Sequence, residues 1–377
     1  MALLVNQLDH HNESGIIYTI KNRVEEVLFL YDKEEVELMK SIEEYYITNF
    51  SELKFYKEVI EEGNIEQINR TINRYKRENT IINLTGGKRI NSLILLDICR
   101  KNNIKSFYID IRKKYIYDFS KDTLARKKED IEDLDLTSIV EGFGGSIIED
   151  SNELCLKEDL IYFSKEIYKN LELWNENKKK LYDNSIFIHE ENNPEIICID
   201  FSKLQEEEKS LLNKILNKMK EMNEIDFNKN DDKVRVRFLN NYIKGFVFKS
   251  GTWLEIATNN LLKSIKEIDE SRNGVIFLWN NGKKTVRNEL DVVAVKDSVP
   301  ICISCKDSDK YNEMALNELN VYAERVGGKD VYKILVATKD PIKEPVKIRA
   351  KEMGIHLVIF DGNEEKFINN IRKIVLN

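Results

Sequence analysis

At 377 residues the chain exceeds one ordinary domain and is enough for two or three, and 42% hydrophobic residues allow sizeable cores. The formal net charge of −7 excludes a surface coated in basic residues for unspecific nucleic-acid binding, though not a local basic cleft. Five scattered cysteines exclude a disulfide framework, and no apolar run reaches the roughly 18–20 residues that span a bilayer.

Asn6, Asp9 and two histidines interrupt the N-terminus before any signal-peptide core can form, so a cytoplasmic protein is expected, with no membrane partner. The first 150 residues alternate short apolar runs with amphipathic stretches. Strands are expected over Ala2–Asn6, Glu26–Tyr31, Thr80–Leu84, Ser106–Ile109 and Tyr115–Asp118, with helices over Glu13–Asn22, Lys33–Asn49, Ile65–Arg77 and Arg89–Lys101. Such alternation predicts a parallel sheet covered by helices, whose ligands bind at the carboxyl ends of the strands.

Two loops lie at such ends. "NQLDHHNES" follows the first strand and contains Asp9, His10 and Ser14; "TGGKR", Thr85 to Arg89, follows "TIINL". Gly86 and Gly87 permit close approach of the backbone, the next helix directs its N-terminal amides to the same spot, and Lys88 and Arg89 add positive charge. The loop reads as a phosphate cradle or as an ordinary strand-to-helix turn, and it lacks the spacing of the common nucleotide-binding loops. His10 and His11 are adjacent, diverge, and suit a surface loop touching a ligand better than a shared metal.

Residues 151–240 change character, with long charged helices around a short strand, Glu195–Asp200. "ENNPEI" and "DFNKNDDK" read as connections, and a small helical or winged-helix-like module is expected, serving as a spacer, a dimerisation piece or a DNA-binding element.

From residue 241 the pattern is helix, three strands, helix, strand, helix, strand, helix. The first helix, "GTWLEIATNNLLKSI", buries one face. The strands "VRNELDVVAV" and "PICISCK" carry misplaced charges. Glu289, Asp291, Val293 and Val295 share one face; Cys302, Ser304 and Lys306 share another. A turn at Asp297-Ser298 would set Asp291 opposite Ser304 and Glu289 opposite Lys306, and a slip of one residue would break this. Cys302 and Cys305 form a C-x-x-C with no second pair and no nearby His, and they read as core packing on opposite faces. Paired carboxylates that lose hydration call for an oxygen-seeking divalent cation such as Mn²⁺ or Mg²⁺, with the lysine acting on a water or a phosphate. An inter-strand salt bridge at a sheet edge explains the same residues.

The spacing Asp291-x₁₂-Ser304-x-Lys306, behind a helix bearing Glu255 and ahead of "LNVYAERVGG", resembles the PD-(D/E)XK nuclease core. The resemblance implies a metal-binding Asp291 and a water-assisting Lys306, with Ser304 where the family keeps an acid. Glu289 is expected to supply the missing carboxylate and Glu255 a further metal ligand. The N-terminal half, with its ligand loop after the first strand, "NLTGGKR", "IDIRKKYIYDF" and "LTSIVEGFGG", is similar to the Rossmann-like CARF domain, a sensor of cyclic oligoadenylates. Together these imply an α/β chain of three parts: a CARF domain over 1–150, a linker module over 151–240 and a PD-(D/E)XK domain over 241–377. The pairing resembles the ancillary effector nucleases of type III CRISPR antiviral defence. It implies a homodimer that binds one ring, cyclic tetra-adenylate by analogy, through Asp9, His10, Ser14 and Thr85 to Arg89. The dimer would then cut single-stranded DNA, RNA or nicked duplex with Mn²⁺ or Mg²⁺. The alternative is a ligand-sensing, DNA-binding transcriptional regulator without nuclease activity.

Overall fold

Five parallel strands, each joined to the next by a helix, open the chain, because parallel neighbours need a crossover that only a helix-length connection supplies. The computed structural model describes residues 2–120, 123–131, 133–248, 251–281 and 284–376. In chain order the elements are β1 (Ala2–Gln7), α1 (Glu13–Asn22), β2 (Glu26–Tyr31), α2 (Val36–Asn49), β3 (Lys54–Val59), α3 (Ile65–Tyr75), β4 (Asn79–Asn83), α4 (Arg89–Asn102) and β5 (Lys105–Asp110). The antiparallel strands β6 (Tyr115–Ser120) and β7 (Thr123–Lys128) complete a sheet of order β3-β2-β1-β4-β5-β6-β7. The strand order reverses between β1 and β4, which opens a crevice at their carboxyl ends.

The sequence pattern does not predict β3 or β7, and these are the two edges of the sheet. Edge strands carry charges that discourage pairing with other chains, so "KFYKEV" and "TLARKK" lack a strand-like apolar signal.

Next come α5 (Leu136–Glu141), β8 (Gly145–Glu149), α6 (Glu158–Lys169) and α7 (Leu171–Asn177). The middle stretch, expected to be helical or winged-helix-like, holds a four-stranded antiparallel sheet of order β11-β12-β10-β9, with α8 (Glu206–Glu221) packed on it. Its strands are β9 (Phe187–His189), β10 (Ile196–Asp200), β11 (Ile225–Asn230) and β12 (Lys233–Phe238). "DFNKNDDK" is no mere connection but a hairpin turning at Asp231, whose φ is 51°. Its strand signal is the burial of Val234, Val236 and Phe238, every second residue of β12.

The chain then forms α9 (Asn241–Phe248), α10 (Thr252–Lys263), β13 (Glu270–Asn281), β14 (Lys284–Lys296), β15 (Val299–Lys306), α11 (Glu313–Gly327), β16 (Tyr332–Ala337), α12 (Glu344–Glu352), β17 (Ile355–Ile359) and α13 (Glu364–Leu376). From α10 onward this is the predicted alternation. The third sheet has order β17-β16-β15-β14-β13-β8, so β8, from the first 150 residues, pairs antiparallel with β13.

This third sheet is covered on both faces. Val292, Ala294, Ile301 and Ile303 share a core with α10, α13 and the middle stretch. Val293, Val295 and Cys302 share another with α11 and with α1, α2 and α5. One continuous apolar core therefore joins the first sheet to the third, and a displacement in either has to be accommodated by packed side chains in the other. Cys302 and Cys305 fall in these opposite cores, and burial pushes both thiols up, as core packing requires. Among the described residues, no helix is long and apolar enough to cross a membrane.

Candidate functional site

The β14–β15 hairpin turns on two residues with left-handed backbone, Asp297 (φ 52°) and Ser298 (φ 63°), the conformation a two-residue hairpin demands. Neighbours hold the turn. Lys114 pairs with Asp297 at 2.5 Å, the Asp297 amide donates to Asp269 at 2.6 Å, and the Ser298 hydroxyl accepts the Leu134 amide at 2.8 Å. The ladder runs from Lys296–Val299 to Val292–Ile303. The next step along this register sets Asp291 across from Ser304.

There a side chain replaces the backbone ladder. The Oδ2 of Asp291 accepts the Ser304 hydroxyl at 3.0 Å and the Cys305 amide at 2.6 Å, and the Lys306 ammonium stands 3.6 Å from the same oxygen. All three contacts fall on Oδ2, leaving Oδ1 as an available ligand atom. Asp291, Ser304 and Lys306 are half-buried, screened but still reachable from solvent.

The other two carboxylates are placed differently. Glu289 lies on β14 opposite Ile276 of β13, is exposed, and makes no ion pair with Lys306 among the described residues. Glu255 sits in the first turn of α10, half-buried. Burial raises the pKa of the Cys305 thiol, and the charges of Asp291 and Glu255 push it up further, so both carboxylates lie near that one thiol. Glu255, Glu289 and Asp291 do not bring three ligand atoms within 4.8 Å of one another; among the described residues only Asp133, Asp269 and Asp297 do, at the turn end of the hairpin. Lys114 and Lys296 already offset Asp297 there. Asp291 and Glu255 are hard oxygen donors, the kind of ligand an oxygen-seeking cation takes.

Asp307, which the sequence pattern does not single out, is the most heavily bonded carboxylate of this region. It accepts Trp174 Nε1 at 2.7 Å, Trp253 Nε1 at 2.9 Å, Lys178 Nζ at 2.7 Å and Thr338 Oγ1 at 2.9 Å. Burial pushes its carboxyl up, but the hydrogen bonds from Lys178, Trp174 and Trp253 outweigh this and hold it below the usual range. An aspartate next to a lysine at a strand end looks like surface, so only the two distant tryptophans could have pointed to it.

The crevice between β1 and β4 brings the two expected loops together. Gly87 has φ 82°, and a Cβ there would come within 2.4 Å of the Gln7 Cβ, so only glycine fits. Gln7 Nε2 donates to the Gly86 carbonyl at 3.2 Å and to Ser92 Oγ at 2.7 Å. The Gly87 amide, expected to face a ligand, donates to Asp9 Oδ2 at 2.9 Å. His10, Lys88 and Arg89 are exposed, whereas Ser14 is buried and accepts from Asn83 Nδ2 at 3.0 Å. The Thr85 hydroxyl accepts the Ile109 amide at 2.9 Å. Asn6 Nδ2, Gln7 Oε1 and His11 Nδ1 are buried without a partner, three unmet polar atoms around one crevice.

His11 reaches from the first loop towards the third sheet, and Glu13 begins the helix that follows. His11 meets Phe143 edge-on at 4.8 Å, and its Nε2 lies 2.7 Å from where a Cβ on Gly328, just past α11, would stand. Glu13 is buried, and burial pushes its carboxyl up to about 8. In the sequence Glu13 reads as an ordinary acidic helix start, which hides its burial.

Residues 242–377 match the family model described as the Card1-like endonuclease domain. The protein VC1899 from Vibrio cholerae shares the fold at TM-score 0.74 and 17% identity, over 99% of this chain and 98% of that one. Can2 from Sulfobacillus thermosulfidooxidans, solved in complex with cyclic tetra-adenylate, shares it at TM-score 0.73 and 17% identity, over 100% and 97%. A type III CRISPR defence DNA nuclease activated by cyclic oligoadenylate aligns at TM-score 0.55 and 14% identity, over 91% of this chain and 47% of that one. No curated protein matches by sequence. These matches bear out the resemblance to CARF-domain effector nucleases.

Proposed function

Because residues 242–377 match the Card1-like endonuclease domain model, we propose that the chain is a metal-dependent nuclease switched on by a cyclic oligoadenylate. The observation that carries this reading is the convergence of the Ser304 hydroxyl, the Cys305 amide and the Lys306 ammonium on one oxygen of Asp291 where the hairpin ladder ends. A DNA-binding regulator has no use for that group.

In this reading Asp291 is held in place by the Cys305 amide and the Ser304 hydroxyl, and it keeps the Lys306 ammonium close. The Lys306 ammonium orients the attacking water or offsets charge that develops on the phosphate. A Mn²⁺ or Mg²⁺ ion, when bound, polarises the phosphodiester and makes its water more acidic. Asp291 and Glu255 would hold it, with Glu289 as a third donor from the exposed face of β14. The substrate is single-stranded DNA, RNA or nicked duplex.

The activator, cyclic tetra-adenylate in this reading, occupies the β1–β4 crevice. Lys88 and Arg89 meet its phosphates, while Asp9, His10 and Thr85 to Gly87 line its seat and Ser14 supports that seat from below. Asp9 holds the Gly87 amide that a ligand oxygen would otherwise take, so ring binding has to displace or share it. A ring with two-fold symmetry suits an isologous homodimer of the segment 1–150, with 151–240 linking it to the nuclease segment 241–377. The setting is cytoplasmic antiviral CRISPR defence.

The test is an incubation of the chain with cyclic tetra- or hexa-adenylate, Mn²⁺ or Mg²⁺, and labelled single-stranded DNA, RNA and nicked duplex. Cleavage that needs both a ring and a metal, and stops on chelation, supports the reading. Cleavage indifferent to both, or a footprint without strand breaks under all conditions, defeats it.

A further inference from the structure

Asp307 follows Lys306 and, by strand alternation, points to the other side of β15. Its side chain has no exposure, and its four donors come from α7 of the middle stretch (Trp174), the residue just beyond α7 (Lys178), α10 (Trp253) and the end of β16 (Thr338). Lys178 also donates to the Asp307 carbonyl at 2.7 Å. Lys306 itself is pinned on both sides. Its carbonyl accepts the Ser308 amide at 2.8 Å and the Thr338 amide at 3.2 Å, and the preceding Cys305 amide is bound by Asp291. Bonds from an ammonium to a buried carboxylate are of the strong, orienting kind, and removing one partner strands the other charge.

We propose that Asp307 is a positioning residue. It locks α7, and the α10 helix that carries Glu255, onto the strand end that carries Lys306. Asp307 lies on the far side of β15 from Lys306, so it acts through the strand and through α10. Its role follows from the geometry: the middle stretch is part of the nuclease site and not a spacer, because Trp174 and Lys178 fix where Lys306 stands. This rests on the reading of Asp291 and Lys306 as the reacting group.

The test uses the full chain with Asp307→Asn, which keeps the shape and removes the charge, and with Lys178→Met. Single-turnover cleavage of labelled single-stranded DNA is followed with cyclic tetra-adenylate and Mn²⁺. The rate constant is expected to fall about tenfold or more in each variant, as small misplacements of reacting groups do. The amplitude and the half-saturating DNA concentration stay unchanged, and the double variant loses little beyond the worse single one. A rate constant within twofold of the unmodified chain, with only the melting temperature or the amplitude lowered, would overturn the proposal, since a merely structural aspartate changes how much protein is folded and not how fast the folded protein cuts. Amide exchange supplies a readout independent of cleavage. Asp307→Asn is expected to speed exchange in both 299–308 and 171–178, and unchanged exchange in either segment overturns the proposal. If the unmodified chain cuts nothing with ring and metal, the nuclease reading fails, and the exchange result still decides whether Asp307 joins the two segments.

Discussion

The Lys306 ammonium stands 3.6 Å from Asp291 Oδ2, the oxygen that also takes the Cys305 amide. A backbone donor thus orients the carboxylate, and in the proposed reading the lysine beside it acts on a phosphate. Asp291→Ala and Lys306→Ala are each expected to lower ring-dependent cleavage by about a hundredfold or more, the scale of a lost acid–base or charge-stabilising group. Ring binding, followed by calorimetry, stays within twofold.

The two spare carboxylates are not equivalent. Glu255 acts on the same thiol as Asp291, whereas Glu289 projects from the exposed side of β14. Glu255→Ala is therefore expected to raise the Mn²⁺ concentration needed for half-maximal cleavage by about tenfold, and Glu289→Ala by much less. The reverse order would return to Glu289 the role expected from its spacing.

At Gly87 a single added methyl group decides the outcome. Gly87→Ala puts a Cβ into Gln7 at a left-handed φ, a strain of about 1–3 kcal/mol. The variant is expected to lose ring binding and ring-dependent cleavage together, with a melting temperature lowered by a few degrees.

Glu13 ties stability to pH. Its carboxyl, near 4.5 in an unfolded chain, is raised by burial to about 8 in the fold. The folded state then holds a proton the unfolded state has released, so the stabilisation is complete below about pH 4.5 and is lost as pH rises towards 8. Glu13→Gln should remove this slope, so that the variant melts progressively higher than the unmodified chain between pH 5 and pH 8 by about several degrees. Parallel melting curves for the two chains across that range would show that Glu13 is not buried as an acid.

Much of the third sheet was legible because its signals are local: the turn at Asp297-Ser298 sets the register, and the register sets Asp291 against Ser304. The hairpin β11–β12 was not, because its polar turn and exposed charges resemble a connection and only alternate residues are buried. Asp307 and Glu13 were hidden for a related reason. What makes each unusual is burial by elements far away in the chain: Trp174 and Trp253 around Asp307, and the packing of α1 against the rest of the protein around Glu13. The exposure of Glu289 was not legible either, since alternation gives the face of a residue but cannot say where two strands part.

The most direct measurement compares the unmodified chain with Asp291→Asn, which keeps an acceptor oxygen for the Cys305 amide, in single-turnover cleavage with cyclic tetra-adenylate and Mn²⁺. The account predicts equal ring affinity in both and cleavage only by the unmodified chain. Equal cleavage by both would place the reacting group elsewhere and contradict the central claim.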